Sequence, residues 1–178
     1  VFNGEQLGTK NGVEDLARLS SDEVVSETQD GFSIAVAPTD IGFQSISFVN
    51  NVDTYNGGTH VDHVSDQICN KLRELIRKKH KVDVKPNVIK QQLFLFVNSV
   101  VNAPTFTSQT KEHMDLPVAK FSSKYVPSDK FITQLFKSGV VENIMRWVEG
   151  ERKRQELAEL KKLNKDAEAK NALRKIVK

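Results

Sequence analysis

The stretch that decides the fold is FQSISFVNN at residues 43–51, which is followed by GGTHV at residues 57–61. In the first segment Ile46 and Phe48 alternate with polar residues, so they share one face of a predicted β-strand. The glycine pair then interrupts this pattern, and the residues after it follow a helical spacing. A strand that leads into a helix is typical of the first half of a βαβ unit.

The helix after Gly58 is predicted from its apolar residues, which recur at steps of three and four. They are Val61, Val64, Ile68, Leu72, Leu75 and Ile76. Thr59 is predicted to cap the first turn, and Asp62 follows at the positive end of the helix dipole. We expect the helix to end near Lys79, because Pro86 blocks a longer one.

The run LFLFV at residues 93–97 predicts the second strand of that unit. It is apolar throughout and too short for an independent helix, which is typical of a strand covered on both faces. A short helix is expected around Val13–Leu19. The strand at residues 32–37 is expected to pair with residues 43–50 as an antiparallel hairpin. Residues 102–112 then form a loop.

The C-terminal third changes character at Glu149. Before it, helical spacing places Phe131, Ile132, Leu135 and Phe136 on one face, and Val140, Ile144, Trp147 and Val148 continue this pattern after Gly139. After it the apolar stripe disappears and charged residues dominate. Residues 149–178 are therefore predicted to be a long solvated helix or a helical linker.

Composition and charge restrict the class of protein. The chain has 178 residues, a net charge of +3 and one cysteine, Cys69, which excludes an internal disulfide and fits a reducing compartment. Val1 is not a natural start, so we expect a fragment of a longer protein. Residues 71–90 hold eight basic and two acidic side chains, whereas residues 1–70 hold two basic and eleven acidic ones. The basic segment could attract a polyanion.

Two motifs near the glycine pair have more than one interpretation. Gly57-Gly58 before a helix could cradle a phosphate, but a plain turn that needs positive φ is favoured. His60 and His63 are three residues apart and could bind one metal ion. Because no third ligand is evident nearby, capping and surface histidines are favoured and no metal site is predicted.

Two further motifs carry positive charge. Lys111 lies in a polar loop after the buried strand, where it could bring its charge to a phosphate while Gln109 adds a hydrogen bond. When these residues are considered alone, a solvated loop lysine is favoured. The basic cluster is Arg77, Lys78, Lys79 and Lys81, at the predicted end of the long helix. It could contact DNA phosphates, or its cations could simply complement the negative end of the helix dipole.

Taken together, the ordered motifs resemble the transducer domain of type IIA DNA topoisomerases. The blocks that carry the resemblance are FQSISFVNN at 43–51, GGTHV at 57–61, DQI at 66–68, PTF at 104–106 and SQTKE at 108–112. The last block is more similar to eukaryotic and T-even-type bacteriophage enzymes than to gyrase. The resemblance covers residues 1–148, and the remaining tail matches in character alone.

The resemblance implies an α+β transducer fold of the ribosomal-protein type. It implies a mixed sheet, a left-handed βαβ crossover, which is an exception to the usual hand, and a long C-terminal helix. Residues 1–9 would end a preceding GHKL ATPase domain, residues 10–148 would be the transducer domain, and residues 149–178 would be a charged helical linker toward the DNA-cleavage core. The ATPase and cleavage sites would lie outside this fragment.

The resemblance also implies roles for particular residues. In that family the loop that corresponds to Gln109, Thr110 and Lys111 inserts into the ATP site of the neighbouring domain. Lys111 would meet the γ-phosphate and act as the catalytic lysine, and Gln109 would assist it. The basic cluster matches a lysine-rich loop that faces the DNA cavity in eukaryotic relatives. The corresponding run is shorter in this sequence.

The predicted function is therefore that of a transducer in an ATP-dependent type II topoisomerase. It would sense the ATP or ADP state and relay it to the DNA gate during strand passage. ATP and Mg²⁺ would be bound by the longer protein, a homodimer whose partners are duplex DNA, the adjacent ATPase domain and the cleavage core. The location would be the host cytoplasm for a bacteriophage enzyme or the nucleus for a eukaryotic one. The alternatives are another GHKL ATPase, of mismatch repair or chaperone type, and a non-catalytic DNA-binding module.

Overall fold

The computed structural model describes residues 12–176, and the side chains of residues 12–165. Residues 1–9, which were expected to end a preceding domain, lie outside that range. The chain divides into two units between Ile144 and Met145. The division lies near the predicted boundary at residue 149, but the proposed identities of the domains stay predictions.

Five strands form the sheet of the first unit. They are β1 (Val25–Gln29), β2 (Phe32–Pro38), β3 (Gln44–Val49), β4 (Val52–Asp53) and β5 (Leu93–Ser99). Their order across the sheet is β1-β2-β5-β3-β4, with β5 antiparallel to β2 and parallel to β3. Strand β5 is central and its apolar residues are buried except for the half-buried Phe94, so the prediction that both its faces are covered is confirmed.

The predicted hairpin between β2 and β3 is wrong, because β5 lies between them. The most apolar strand takes the place where both of its edges are paired and both of its faces are covered, which separates two strands that are neighbours in sequence. The hairpin partner of β2 is β1. Asp30 and Gly31 connect the two with φ values of 47° and 82°. Asp-Gly is a strong signal for such a two-residue hairpin loop.

Helices cover both faces of the sheet. The helices of the described residues are α1 (Gly12–Arg18), α2 (Thr59–His80), α3 (Pro86–Lys90), α4 (Asp129–Phe136) and α5 (Gly139–Ile176), with a 3₁₀ turn at Val118–Lys120. On one face Ala17 of α1 packs with Ala35 and Phe96, which are paired across β2 and β5. The alternate residues of β5 point to the opposite face, where Leu95 and Val97 are fully buried.

The predicted βαβ unit is confirmed, because β3 and β5 are parallel and α2 lies between them in the sequence. The mixed sheet and the long C-terminal helix confirm the α+β class. The left-handed crossover stays a prediction.

Helix α2 has the predicted apolar stripe, whose members are buried except for the half-buried Leu75. It ends at His80, one residue after the predicted end, and Lys81 adopts the left-handed conformation that closes it. The cap prediction is wrong, because Gly58 is the N-cap residue and no side chain caps the helix. The Thr59 hydroxyl instead donates a hydrogen bond to the Leu116 carbonyl oxygen at 2.6 Å.

The last elements match their sequence patterns. Ser128 caps α4 by accepting a hydrogen bond from the Phe131 backbone nitrogen at 3.1 Å. In the second unit the side chains at residues 152–165 are exposed, and ion pairs join Arg152 to Glu156 and Arg154 to Glu151. The predicted solvated helix is confirmed over this range, and its role as a linker stays a prediction. Over residues 12–176, no helix is both long enough and apolar enough to cross a bilayer.

Candidate functional site

The loop that carries Lys111 is closed by its own backbone. Phe106 and Met114 form an antiparallel bridge, and the Thr107 nitrogen donates to the His113 carbonyl oxygen at 3.1 Å. At the tip the Lys111 nitrogen donates to the Ser108 carbonyl oxygen at 3.1 Å. Residues 107–113 therefore form a hairpin-like loop, and we call them the Lys111 loop.

The three predicted nucleotide-binding residues lie together at the tip of this loop. Gln109, Thr110 and Lys111 are all exposed. Thr110 is oriented by a hydroxyl–hydroxyl hydrogen bond of 2.7 Å to Ser108. Lys111 has a φ of 58°, a conformation that lysine rarely adopts and that costs roughly 1–2 kcal/mol relative to the right-handed region. The exposed tip of the turn thus carries an ammonium, an amide and a hydroxyl.

The Glu112 carboxylate connects the tip of the Lys111 loop to the segment before α2. It accepts hydrogen bonds from the Tyr55 hydroxyl and from Thr110, and from the Asn56 amide nitrogen at 3.3 Å. The hydrogen bond from Tyr55 is the main reason that the pKa of Glu112 is lowered and that of Tyr55 is raised. The loop is therefore joined by side chains to the segment between β4 and α2.

The glycine pair is joined to the same loop through its backbone. Gly58 and Met114 form a parallel bridge, in which the Met114 nitrogen donates to the Gly57 carbonyl oxygen at 3.2 Å. The Thr59 nitrogen donates to the Met114 carbonyl oxygen at 3.0 Å. The φ values of Gly57 and Gly58 are 68° and 142°, in agreement with the plain-turn interpretation. In this arrangement the Thr59 N–H is bonded within the chain, which leaves it unavailable to a phosphate.

The two histidines are not the surface groups that the sequence suggested. His60 is fully buried, and its Nε2 atom lies 3.3 Å from the Thr54 hydroxyl. Burial, and then the nearby charge of His113, lowers the pKa of His60 to about 4. Burial also lowers the pKa of His63, whose ring meets Phe121 edge-on. Among the described residues, no three side chains of the metal-binding types are grouped to hold an ion.

The basic cluster lies at the other end of α2. Arg77, Lys78, Lys79 and Lys81 are all exposed. The Lys79 ammonium lies 4.7 Å from the centre of the Phe136 ring, and the His80 ring stacks on that same ring at 5.5 Å. A helix of 22 residues is about 33 Å long. The cluster and the Lys111 loop are therefore separate surfaces at opposite ends of one helix.

The sequence analysis named Glu112, Gly58 and Thr59 but did not predict that they support the Lys111 loop. Each supports the loop through its backbone or through contacts to residues more than fifty positions away. The spacing of a motif does not reveal such contacts. The available signal was the second glycine, since a pair of glycines before a helix often marks a place where two backbones approach closely.

Comparisons with known proteins agree with this architecture. A family model described as DNA gyrase B matches residues 8–164. DNA topoisomerase 2 of Drosophila melanogaster is 40% identical over 158 residues, which is 82% of this chain and 11% of the relative. DNA topoisomerase 2-beta of Homo sapiens is 38% identical over 161 residues, which is 83% of this chain and 10% of the relative.

Two solved structures have the same fold. The ATPase region of Saccharomyces cerevisiae topoisomerase II superposes with a TM-score of 0.65 at 35% identity, over 71% of this chain and 32% of that one. The ATPase and transducer domains of DNA topoisomerase II from Balamuthia mandrillaris superpose with a TM-score of 0.67 at 35% identity, over 73% of this chain and 34% of that one.

The fold and the family match define the class as the ATPase region of type IIA topoisomerases. The chain belongs to the DNA gyrase B family, since the family model covers most of its length. It spans about a tenth of the length of the curated relatives and about a third of the solved chains.

Proposed function

We propose that this chain is the transducer part of an ATP-dependent type II DNA topoisomerase. Residues 10–148 are the transducer domain, residues 149–178 are the linker toward the cleavage core, and residues 1–9 end the GHKL ATPase domain. The similarity to a solved chain described as ATPase and transducer domains supports this assignment. The same family match favours it over the mismatch-repair and chaperone alternatives.

The observation that carries the proposal is the exposed tip of the Lys111 loop. Its Lys111 ammonium and Gln109 amide are groups that donate to phosphate oxygens, so the donor set fits a nucleotide phosphate. The nearby Glu112 carboxylate already accepts hydrogen bonds from Tyr55 and Thr110, so it suits loop support better than Mg²⁺ binding. The Mg²⁺ of the longer protein is therefore assigned to the adjacent domain.

In the proposed mechanism the loop enters the ATP site of the adjacent domain. ATP and Mg²⁺, when bound there, supply the phosphoryl group and part of the charge neutralisation. Lys111 holds its ammonium against the γ-phosphate oxygens, where charge is spread in the transition state, and Gln109 fixes their orientation. Loss of the phosphate removes the partner charge of Lys111, so the loop also reports the nucleotide state.

The substitution Lys111→Ala in the complete ATPase subunit tests this proposal. We expect the rate constant of ATP hydrolysis to fall about a hundredfold, as for other fixed groups that stabilise transition-state charge. The fold should persist, because the Lys111 side chain is exposed. Lys137→Ala, at another exposed lysine, is the control and should retain wild-type turnover. Wild-type turnover in the Lys111→Ala enzyme would refute the assignment.

A second function, duplex DNA binding, is favoured by the basic cluster. Four exposed cations lie within five residues at one helix end, which suits contact with phosphates without sequence readout. The proposed partners of the longer protein are duplex DNA, the cleavage core and a second copy. The eukaryotic relatives support a nuclear or other intracellular location. The bacteriophage interpretation stays a prediction.

A further inference from the structure

The Lys111 loop is attached to the start of α2 along four consecutive residues, Asn56–Thr59, which we call the clamp segment. Two backbone hydrogen bonds join this segment to the residues at the C-terminal end of the loop. The Asn56 nitrogen donates to the Glu112 carbonyl oxygen at 3.0 Å, and the Thr59 nitrogen donates to the Met114 carbonyl oxygen at 3.0 Å. The His113 ring nitrogen Nδ1 lies 3.0 Å from the Asn56 carbonyl oxygen. The chain immediately after Lys111 is therefore held on the clamp segment.

Gly58 allows this approach because it has no side chain. A Cβ atom at this position would lie 2.3 Å from the Met114 carbonyl oxygen and 2.7 Å from the Met114 nitrogen. Both are backbone atoms of a fully buried residue, so neither can move aside as a flexible side chain would. The φ of 142° adds strain for any other residue. A substitution at Gly58 must therefore separate the loop from the helix.

Thr59 adds a side-chain bond to the clamp. Its hydroxyl donates to the Leu116 carbonyl oxygen at 2.6 Å, two residues beyond the Gly58–Met114 bridge. The N-cap residue of α2 is Gly58, which has no side chain, so the helix has no side-chain cap. The first helical residue, Thr59, uses its hydroxyl to hold the loop.

We propose that the clamp segment is a positioning element for Lys111, with Gly58 and Thr59 as its positioning residues. This inference rests on the proposed function, in which Lys111 acts on the γ-phosphate. The bridge at Met114 lies three residues from Lys111, so a shift of the bridge moves the backbone that carries the ammonium. The clamp thus sets the position of Lys111 relative to α2.

The clamp acts on the rate of the chemical step. A displacement of about 1 Å in a positioned group can lower a rate about a hundredfold. The ATP site itself lies in the adjacent domain, so a loosened clamp leaves the ATP concentration for half-maximal rate nearly unchanged. A mutation that lowers kcat without raising KM has removed an interaction made in the transition state.

The test uses Thr59→Val in the complete ATPase subunit, because valine keeps the shape of threonine and loses the hydroxyl donor. We expect kcat for ATP hydrolysis to fall about tenfold while KM stays within about twofold. Thr59→Ser keeps the hydroxyl and should restore most of the rate. Thr133→Val is the matched control, since its hydroxyl bonds only within α4, to the Asp129 carbonyl oxygen.

Two further measurements separate positioning from a general loss of stability. Gly58→Ala should speed hydrogen exchange at the amides of Thr59 and Met114, which are bonded across the clamp. In a Lys111→Ala background, Thr59→Val should lower kcat by less than about twofold, because a positioning residue acts only through its target. A further tenfold loss in that background would overturn the proposal.

The results distinguish the two levels of inference. Loss of turnover in Lys111→Ala together with wild-type kcat in Thr59→Val would refute the clamp and leave the proposed function intact. A Thr59→Val enzyme with raised KM and unchanged kcat would also refute the clamp. Wild-type turnover in Lys111→Ala would refute the proposed function, and the clamp proposal with it.

Discussion

At the residue scale, Lys111 combines an exposed charge with an unfavourable backbone conformation. Its φ of 58° belongs to the left-handed region, which glycine adopts without strain. Strained positions persist where the surrounding structure fixes them, and they are common at functional sites. The conformation at Lys111 is fixed by the turn bond to Ser108 and by the bridge at Met114.

This strain leads to a prediction about stability. We expect the free energy of unfolding of the Lys111→Gly variant to be about 1 kcal/mol higher than that of the Lys111→Ala variant, because glycine relieves the backbone strain and alanine does not. Both variants of the complete subunit should lose ATP hydrolysis. Urea unfolding of this chain checks the first statement. Equal stabilities would mean that the strain is absent in solution.

His60 predicts how the stability of this chain depends on pH. Its folded pKa of about 4 is lower than the ordinary value of 6.5, so the unfolded state binds the proton more readily between those values. The free energy of unfolding should therefore fall by about 2 kcal/mol between pH 7 and pH 5 through this residue. Urea unfolding of wild type and His60→Phe at both pH values measures the difference.

The comparison between the two chains isolates His60 from the carboxylates. Glu112 also favours the folded state above its unfolded pKa, but its contribution is lost at lower pH, as the pH falls through its lowered folded value. The His60→Phe chain should thus lose less stability between pH 7 and pH 5 than wild type does. The same loss in both chains would show that His60 is not buried as a neutral group.

At the element scale, α2 joins the two candidate surfaces. Its first residue holds the Lys111 loop, and its last turn carries most of the basic cluster. The helix thus gives a physical connection between the candidate nucleotide-sensing and DNA-binding ends.

The basic end of α2 predicts a salt dependence. Binding of this chain to random-sequence duplex DNA should weaken as salt rises, since each phosphate contact contributes about −0.9 to the slope of log K against log salt. The double variant Lys78→Ala and Lys81→Ala should reduce the size of that slope by about 2.

The matched control for that experiment changes the same charge elsewhere. Lys120→Ala with Lys124→Ala removes two exposed lysines from the segment around the 3₁₀ turn, and the slope should stay that of wild type. Equal slopes for both double variants would place the contacts outside the basic cluster. Binding that does not respond to salt would argue against the DNA-binding function altogether.

Elements with a strong periodic pattern were predictable from the sequence. The stripe from Val61 to Ile76 identified α2, and Pro86 limited its predicted C-terminal end to within one residue of the observed end. The apolar run at residues 93–97 identified the strand that is covered on both faces. Strand order was not predictable in the same way. Local alternation in β2 and β3 does not record which strand lies between them, because that depends on contacts distant in the sequence.

At the scale of the whole molecule, the candidate site also combines features that local sequence predicts with features that depend on contacts distant in the sequence. The exposed motif at residues 108–112 could be recognised because its own side chains carry the predicted chemistry. Its supports could not, since they are backbone atoms of Gly57 and Met114 and a hydroxyl that the sequence pattern assigned to a cap. Tertiary contacts decided these assignments.

The central position of β5 also affects how the chain is made. A ribosome completes β3 some forty residues before it reaches Leu93, and during that interval β2 and β3 each present an unpaired edge. The nascent chain therefore passes through a stage that is prone to association with other chains. Chains that end before Leu93 lack β5, so they should remain in that state and precipitate, whereas chains that include β5 can close the sheet.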